Sequence, residues 1–153
     1  METQPIITAA AGCLLAVLWF DLMFDVQVWR HRRGPAPEDV LASIAAYYRR
    51  VTTTASPMGR LVGLVMVVLL AALIAQAADK QAPTWVSAIS IPAAFAATGL
   101  AAARVFGRAR RLGARTDPSE TQSDLARTIL RDQLICLALM SVVMATQLAN
   151  AIA

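Results

Sequence analysis

The sequence predicts an all-α integral membrane protein built as a four-helix bundle. Of its 153 residues, 58% are hydrophobic and 16% are charged, whereas soluble domains are roughly 45–50% apolar and about 25% charged. A helix needs about 20 mainly apolar residues to cross a bilayer core, because its backbone polar groups must be satisfied within the segment. Four runs meet this requirement: 6–28, 61–78, 85–106 and 129–153. They lack the period-2 alternation of strands, so we expect no sheet.

The distribution of basic residues predicts how the four spans are oriented. Thirteen of the 14 basic residues are Arg, and all of them lie in or beside the segments 30–60 and 104–131. By the positive-inside rule, the loops 30–60 and 107–128 are cytoplasmic. The N-terminus, the short loop 79–84 and the C-terminus then lie outside, an N-out and C-out arrangement. We expect one multi-pass domain, residues 1–153, in the lipid bilayer of the cell (inner) membrane.

The first loop contains a predicted amphipathic helix between Pro37 and Val51. Apolar residues recur there at helical spacing: Val40, Leu41, Ile44, Tyr48 and Val51. Acidic residues stand in its first turn, and Arg49 and Arg50 stand in its last, which complements the helix dipole. We expect this helix to lie at the cytoplasmic membrane interface. It is either a lid or docking helix, or a connector that rests on the membrane.

The second loop combines a basic tract with a helix start. The tract 107–115 acts either as a topology determinant or as a surface for anionic lipid head groups. After it, Asp117, Pro118 and Glu120 have the spacing of an N-cap, a first-turn proline and a reciprocal Glu. We therefore expect a helix that begins near Pro118 and continues into the fourth span.

Ionisable residues inside the first span are the strongest functional signal. Asp21 and Asp25 are four residues apart, so they lie on one helix face, and Gln27 follows them. A charged side chain inside the membrane is costly unless it meets a partner or water. These three residues are therefore candidates for a ligand-binding or proton-relay site.

Charged residues in the other spans enter the membrane from the same side. They are Arg104 near the end of the third span, and Arg131 and Asp132 in the fourth. We expect Arg131 to pair with Asp25 or Asp21 and to form a charged cluster with the other two. The cluster is either an ion-pair network that fixes helix register, or the lining of a cavity that binds a polar group or moves a proton.

The remaining residue types restrict cofactors and partners. The only histidine, His31, lies in a loop, so we expect no haem held by two intramembrane histidines, and we predict no other cofactor or metal. The sequence has no CxxC, GxSxG or phosphate-loop motif. We therefore assign no catalytic residue. The net charge of +4 follows from the arginines at the span ends, so no nucleic-acid partner is expected.

Short aromatic and basic motifs cluster between Leu14 and Leu70. They are Trp19-Phe20, Phe24, Trp29-Arg30, Tyr48-Arg49-Arg50 and Pro57. This stretch resembles a loose superfamily of four-span membrane proteins that includes the anthrone-oxygenase-like family and, more distantly, HemJ-type protoporphyrinogen oxidases. The resemblance implies a bundle with a polar pocket that opens toward one leaflet and takes a small aromatic or lipophilic compound. HemJ-type proteins rely on a membrane histidine, whereas the first span here has Asp21 and Asp25.

Two classes of function remain open. In the first, the bundle binds a compact amphipathic ligand or relays protons at the carboxylate and arginine cluster, as an enzyme or a transporter. A homo-oligomer is expected under this first class. In the second, the chain is a non-catalytic accessory subunit of a larger membrane complex. Its contacts would then use small residues every fourth position in spans three and four. They are Ala93, Ala97 and Ala101, together with Gly99 and Ala103, in span three, and Ser141, Ala145 and Ala149 in span four.

Overall fold

The computed structural model describes residues 2–31, 33–54 and 56–152, and the regular secondary structure of these residues is entirely helical. The helices are α1 (Gln4–Asp25), α2 (Glu38–Arg49), α3 (Ser56–Ala78), α4 (Thr84–Leu100), α5 (Phe106–Ala114) and α6 (Ser119–Ile152). Helix α1 continues into a 3-10 segment, Val26–Arg30, and α2 into a π-helical segment, Arg50–Thr54. A second π-helical segment, Ala101–Val105, joins α4 to α5. The all-α prediction is confirmed.

Four stretches are long and apolar enough to cross a membrane. They are Gln4–Arg30, Pro57–Ala78, Thr84–Ala114 and Ser119–Ile152. Each overlaps one predicted span and extends beyond it at the arginine-rich end, because the helices continue into more polar sequence. The last residue of the predicted span 129–153 lies outside the described residues. Large apolar side chains face outward, and Trp19, Leu64 and Val67 are each at least 60% exposed. Such a surface fits contact with lipid.

The long helices pack so that α3 and α6 lie diagonally across the bundle. Helix α1 packs against α3 and α6, and α4 packs against the same two helices, while the backbones of α3 and α6 do not approach closely in the described residues. Their side chains meet at the end away from the arginines, where the amides of Gln76 and Gln147 exchange two hydrogen bonds of 3.1 Å. One core joins the spans, with Ile7, Leu14, Leu69, Leu73, Ala94 and Val143 at its centre. A second core lies at the arginine-rich end, where α2 buries Leu41 and Ile44 together with Leu112 of α5 and Ile129 of α6.

Hydrogen bonds fix the two ends of the bundle. At one end, the backbone N–H and the hydroxyl of Thr3 donate to Oε1 of Gln81, at 3.1 and 2.9 Å. At the other end, Arg127 of α6 donates to the carbonyls of His31 and Gly34. Gly34 has a φ of +73°, which favours glycine. The two arginine-rich connections therefore share one end, and the N-terminus and the α3–α4 connection share the other.

Helix α6 begins at Ser119, within one residue of the predicted start, and continues without a break to Ile152. The carboxylate of Asp117 accepts two hydrogen bonds from Arg111, at 2.8 and 2.7 Å. These bonds lower the pKa of Asp117 below its ordinary value. The sequence predicts that Asp117 caps α6, but its side chain instead forms an ion pair with Arg111 of the preceding helix.

The small residues of spans three and four differ in their exposure. Ala93, Ala97 and Ala101 are buried inside the bundle. Gly99 and Ala103 of the same span are exposed, and so are Ser141, Ala145 and Ala149 on α6. On the third span, the stripe of Ala93, Ala97 and Ala101 therefore packs within the bundle, while Gly99 and Ala103 face outward.

Candidate functional site

A cavity of about 580 Å³ lies in the arginine-rich half of the bundle. Residues of α1, α3, α4 and α6 line it, and both π-helical segments border it. Most of its wall is apolar and includes Leu14, Val17, Val62, Met66 and Met140. Its volume lies within the roughly 300–1,000 Å³ of small-molecule sites.

Several polar side chains in the cavity wall already bond to the backbone. The hydroxyl groups of Thr52 and Thr98 donate to carbonyls one turn earlier, at 2.7 and 2.8 Å. The thiol of Cys136 points to the carbonyl oxygen of Ala97, 3.5 Å away. These groups offer little to a ligand, so the polar character of the cavity is concentrated elsewhere.

The polar end of the cavity is built around Asp21. Its Oδ1 accepts a hydrogen bond of 2.5 Å from the hydroxyl of Tyr47, and its Oδ2 accepts one of 2.8 Å from Nε2 of Gln133. All three side chains line the cavity. Three separate elements, α1, α2 and α6, therefore converge on one carboxyl group.

A second carboxyl group lies one helical turn further along α1. Asp25 is fully buried, and its Oδ2 accepts a hydrogen bond of 2.7 Å from the hydroxyl of Tyr48. Its Oδ1 has no hydrogen-bond partner in the described part of the chain. The side chain of Gln133 also interacts with Tyr48, which links the two carboxyl groups. We call Asp21, Asp25, Tyr47, Tyr48 and Gln133 the tyrosine–aspartate cluster.

The local sequence explains how α2 delivers two phenol groups. Adjacent helical residues differ by about 100° in direction, so Tyr47 and Tyr48 reach different turns of α1. The ring of Tyr47 stacks on Phe24 with centroids 4.2 Å apart, which holds its hydroxyl at Asp21. Burial, followed by the nearby carboxyl groups, raises the pKa of both tyrosines above the ordinary value of 10. Both phenols are therefore neutral hydrogen-bond donors.

A separate ionic cluster surrounds Asp132 on another face of α6. Its Oδ2 lies 2.6 Å from Nη1 of Arg108 and 4.0 Å from Nε of Arg104, and its Oδ1 lies 3.3 Å from Nη2 of Arg131. The carboxylate is buried, whereas the guanidinium groups are partly exposed. The buried charge is therefore compensated several times over.

The predicted cluster is thus divided into two. The expected pair of Arg131 with Asp25 or Asp21 is wrong for the described structure, because Arg131 turns to Asp132. The reason is the rotation of α6: Asp132 faces α5, while the next residue faces α1. Arg104 and Asp132 belong to the ionic cluster. Gln27 lies apart from the cavity wall and donates a hydrogen bond of 3.2 Å to the hydroxyl of Ser43 on α2.

Sequence reasoning did not assign site roles to Tyr47, Tyr48, Gln133 or Arg108. One usable signal was present, because Tyr48 falls within the apolar stripe of α2. A buried tyrosine hydroxyl usually finds a hydrogen-bond partner. The position of Tyr48 therefore predicts a hydrogen-bond acceptor in a neighbouring span. The carboxyl groups of Asp21 and Asp25 in the first span are acceptors of that kind.

Comparison with known proteins adds no assignment. No protein-family model, curated protein or solved structure matches this chain. The resemblance to the anthrone-oxygenase-like family is not tested by this result and stays a prediction. Among the described residues, no three His, Cys, Asp or Glu side chains are placed to hold a metal ion.

Proposed function

We propose that the protein binds a compact amphipathic ligand in the cavity, with the polar group of the ligand at Asp21. The observation that carries this proposal is an apolar cavity whose available polar side chains are concentrated at the tyrosine–aspartate cluster. An apolar body gains free energy by leaving water, and a few convergent polar groups fix its orientation in a close-fitting site. The linked carboxyl groups also provide acceptors for a proton carried by the ligand.

We further propose that the arginine-rich end faces the cytoplasm in the cell (inner) membrane, with the N-terminus and C-terminus outside. Helix α2 then lies at the cytoplasmic interface and covers the cavity. The positive-inside rule supports this orientation. The test is labelling of single thiols in a chain whose two native cysteines are replaced by Ser. A thiol at Gln81 is expected to react from outside and a thiol at Asp124 only from the cytoplasm; the reverse pattern contradicts the orientation.

Ligand binding is tested with N-phenyl-1-naphthylamine, a neutral fluorescent probe that has one N–H donor and two aromatic ring systems. Native mass spectrometry of the purified protein is expected to detect one bound probe. Val62→Phe fills the cavity from α3 and is expected to abolish binding, whereas Val68→Phe on the same helix changes an exposed position. Equal binding by both variants, or no binding by the unmodified protein, contradicts the proposal.

The exposed small-residue face of α6 favours a second candidate function, that of an accessory subunit of a larger membrane complex. Small residues allow helix backbones to approach closely in membranes. Purification in mild detergent separates the candidates. A stoichiometric larger partner together with an inert cavity supports the accessory subunit, whereas probe binding by the isolated chain supports the ligand-binding function.

A further inference from the structure

We infer that the ligand is a lipophilic cation, whose positive charge is neutralised by the carboxyl pair Asp21 and Asp25. This inference rests on the proposed function and adds the sign of the ligand charge. It is carried by the charge distribution around the cavity.

The two carboxyl groups have only neutral hydrogen-bond partners. Asp21 accepts from Tyr47 and Gln133, and Asp25 accepts from Tyr48. The ion pairs of the described residues use other carboxylates: Asp132, Asp117, Glu38 and Asp124. Asp21 lines the cavity, Asp25 lies buried one helical turn away, and neither carboxyl group has a cationic partner among the described residues.

Burial makes the absence of a cationic partner costly for the two carboxyl groups. An ionised carboxylate in an apolar surrounding is costly unless a positive charge compensates it. Oδ1 of Asp25 is also buried without a hydrogen bond in the described part of the chain. Protons on both carboxyl groups make the pair neutral when the cavity is empty, and a bound monovalent cation replaces one of these two protons when the cavity is filled. Binding of one monovalent cation therefore releases one proton from the pair to water, and the total charge is conserved.

The other titratable groups around the cavity do not take part in this exchange of a proton for a cation. Tyr47 and Tyr48 face it from α2, and burial raises the pKa of both, so they stay neutral. Cys136 faces the cavity from α6 and is directed at a backbone carbonyl. Arg110 of α5 is exposed where it borders the cavity and has no described ion pair. It is the one group there that favours an anion, so the experiment must set the two signs against each other.

Two ions with the same shape provide that comparison. Tetraphenylphosphonium and tetraphenylborate each carry four phenyl rings and differ in the sign of their charge. Equilibrium dialysis against the purified protein, corrected for empty micelles, is expected to give at least about tenfold tighter binding of the cation, which corresponds to about 1.4 kcal/mol. Tighter binding of tetraphenylborate overturns the inference and indicates that Arg110 dominates.

The pH dependence and one variant test the mechanism. Affinity for tetraphenylphosphonium is expected to rise with pH, by up to about tenfold per unit where the pair is protonated, since binding releases a proton. Asp21→Asn is expected to weaken cation binding at least about tenfold, while Asp21→Glu retains it. Asp39→Asn removes an exposed carboxylate on α2 and is expected to change nothing. A pH-independent affinity, or equal loss in the Asp21→Glu variant, contradicts the exchange.

The outcomes distinguish this inference from the function on which it rests. If N-phenyl-1-naphthylamine binds in the cavity and the two ions bind equally, the ligand-binding function stands and the cation inference fails. If neither the neutral probe nor either ion binds, the ligand-binding function itself fails. A cation that binds equally to the Val62→Phe variant occupies another site, which also overturns the inference.

Discussion

One methyl group added at Gly113 tests how closely α2 packs against α5. A Cβ atom at this position lies 2.8 Å from the backbone nitrogen of Arg49, 3.1 Å from its Cα and 3.2 Å from the carbonyl carbon of Tyr48. All three are backbone atoms, so relief requires α2 to move as a unit. Overpacking of this kind costs about 1–3 kcal/mol, and alanine returns up to about 1 kcal/mol of helix propensity. We expect Gly113→Ala to lower the free energy of unfolding by about 2 kcal/mol.

Gly107 is the matched control, because it lies on the same helix and a Cβ atom there meets nothing within 4 Å. Gly107→Ala is therefore expected to stabilise the protein by up to about 1 kcal/mol. The assay is unfolding by sodium dodecyl sulfate, followed by far-ultraviolet circular dichroism. Labelling of the buried Cys136 thiol, in a Cys13→Ser background, reports the same transition independently.

The displacement of α2 also has a functional consequence. This helix carries Tyr47 and Tyr48, so its movement lengthens their hydrogen bonds to α1 and is expected to weaken probe binding in Gly113→Ala. The control for binding is Gly99→Ala on α4, where a Cβ atom meets nothing within 4 Å, because Gly107 borders the cavity. If Gly113→Ala is as stable as Gly107→Ala and binds the probe as well as Gly99→Ala, the close contact between α2 and α5 is refuted. If Gly113→Ala loses stability but keeps full binding, the packing stands and the role of α2 in the site is refuted.

Two further predictions concern buried carboxyl groups. Asp132→Ala and Arg108→Ala are each expected to lower the free energy of unfolding by about 2–4 kcal/mol, and the double variant is expected to recover part of that loss, as a double-mutant cycle by detergent unfolding can measure; simple additivity contradicts the pair. Tyr48→Phe removes the described hydrogen bond of Asp25 and is expected to cost about 1–3 kcal/mol, whereas Tyr47→Phe costs less because its carboxyl partner keeps a second donor; equal losses in the same assay contradict this assignment.

The spans were predictable because the requirement that creates them is local. A backbone that crosses lipid must satisfy its own hydrogen bonds. Each run of about 20 apolar residues can therefore be recognised as a span from its own residues alone. The helices Glu38–Arg49 and Ser119–Ile152 were predictable for a similar reason, since first-turn acidic residues and prolines mark a start within the sequence. The ends were less accurate, because apolar spans continue as polar helices without a local signal.

The partners of the intramembrane polar residues were not predictable in this way. The sequence places Asp21 and Asp25 on one face of α1, but which side chains meet that face depends on the rotation of α6 and on where α2 docks. A charge-based expectation favoured Arg131 as the partner. The structure instead gives the carboxyl groups two phenols and an amide. Such neutral donors compete well wherever the helix rotation brings them closer than a cation.

The π-helical segment Ala101–Val105 connects these observations. A π-helical turn contains an extra residue relative to an α-helical one, so it rotates everything that follows by about 100°. In the helix that follows, Arg108 meets Asp132 and compensates its carboxylate, with Nη1 2.6 Å from Oδ2. The π-helical segment itself borders the cavity, whose wall includes Asp21. The described hydrogen-bond partners of Asp21 are neutral, and this contrast with the compensated Asp132 is the charge pattern on which the proposal of a positively charged ligand rests.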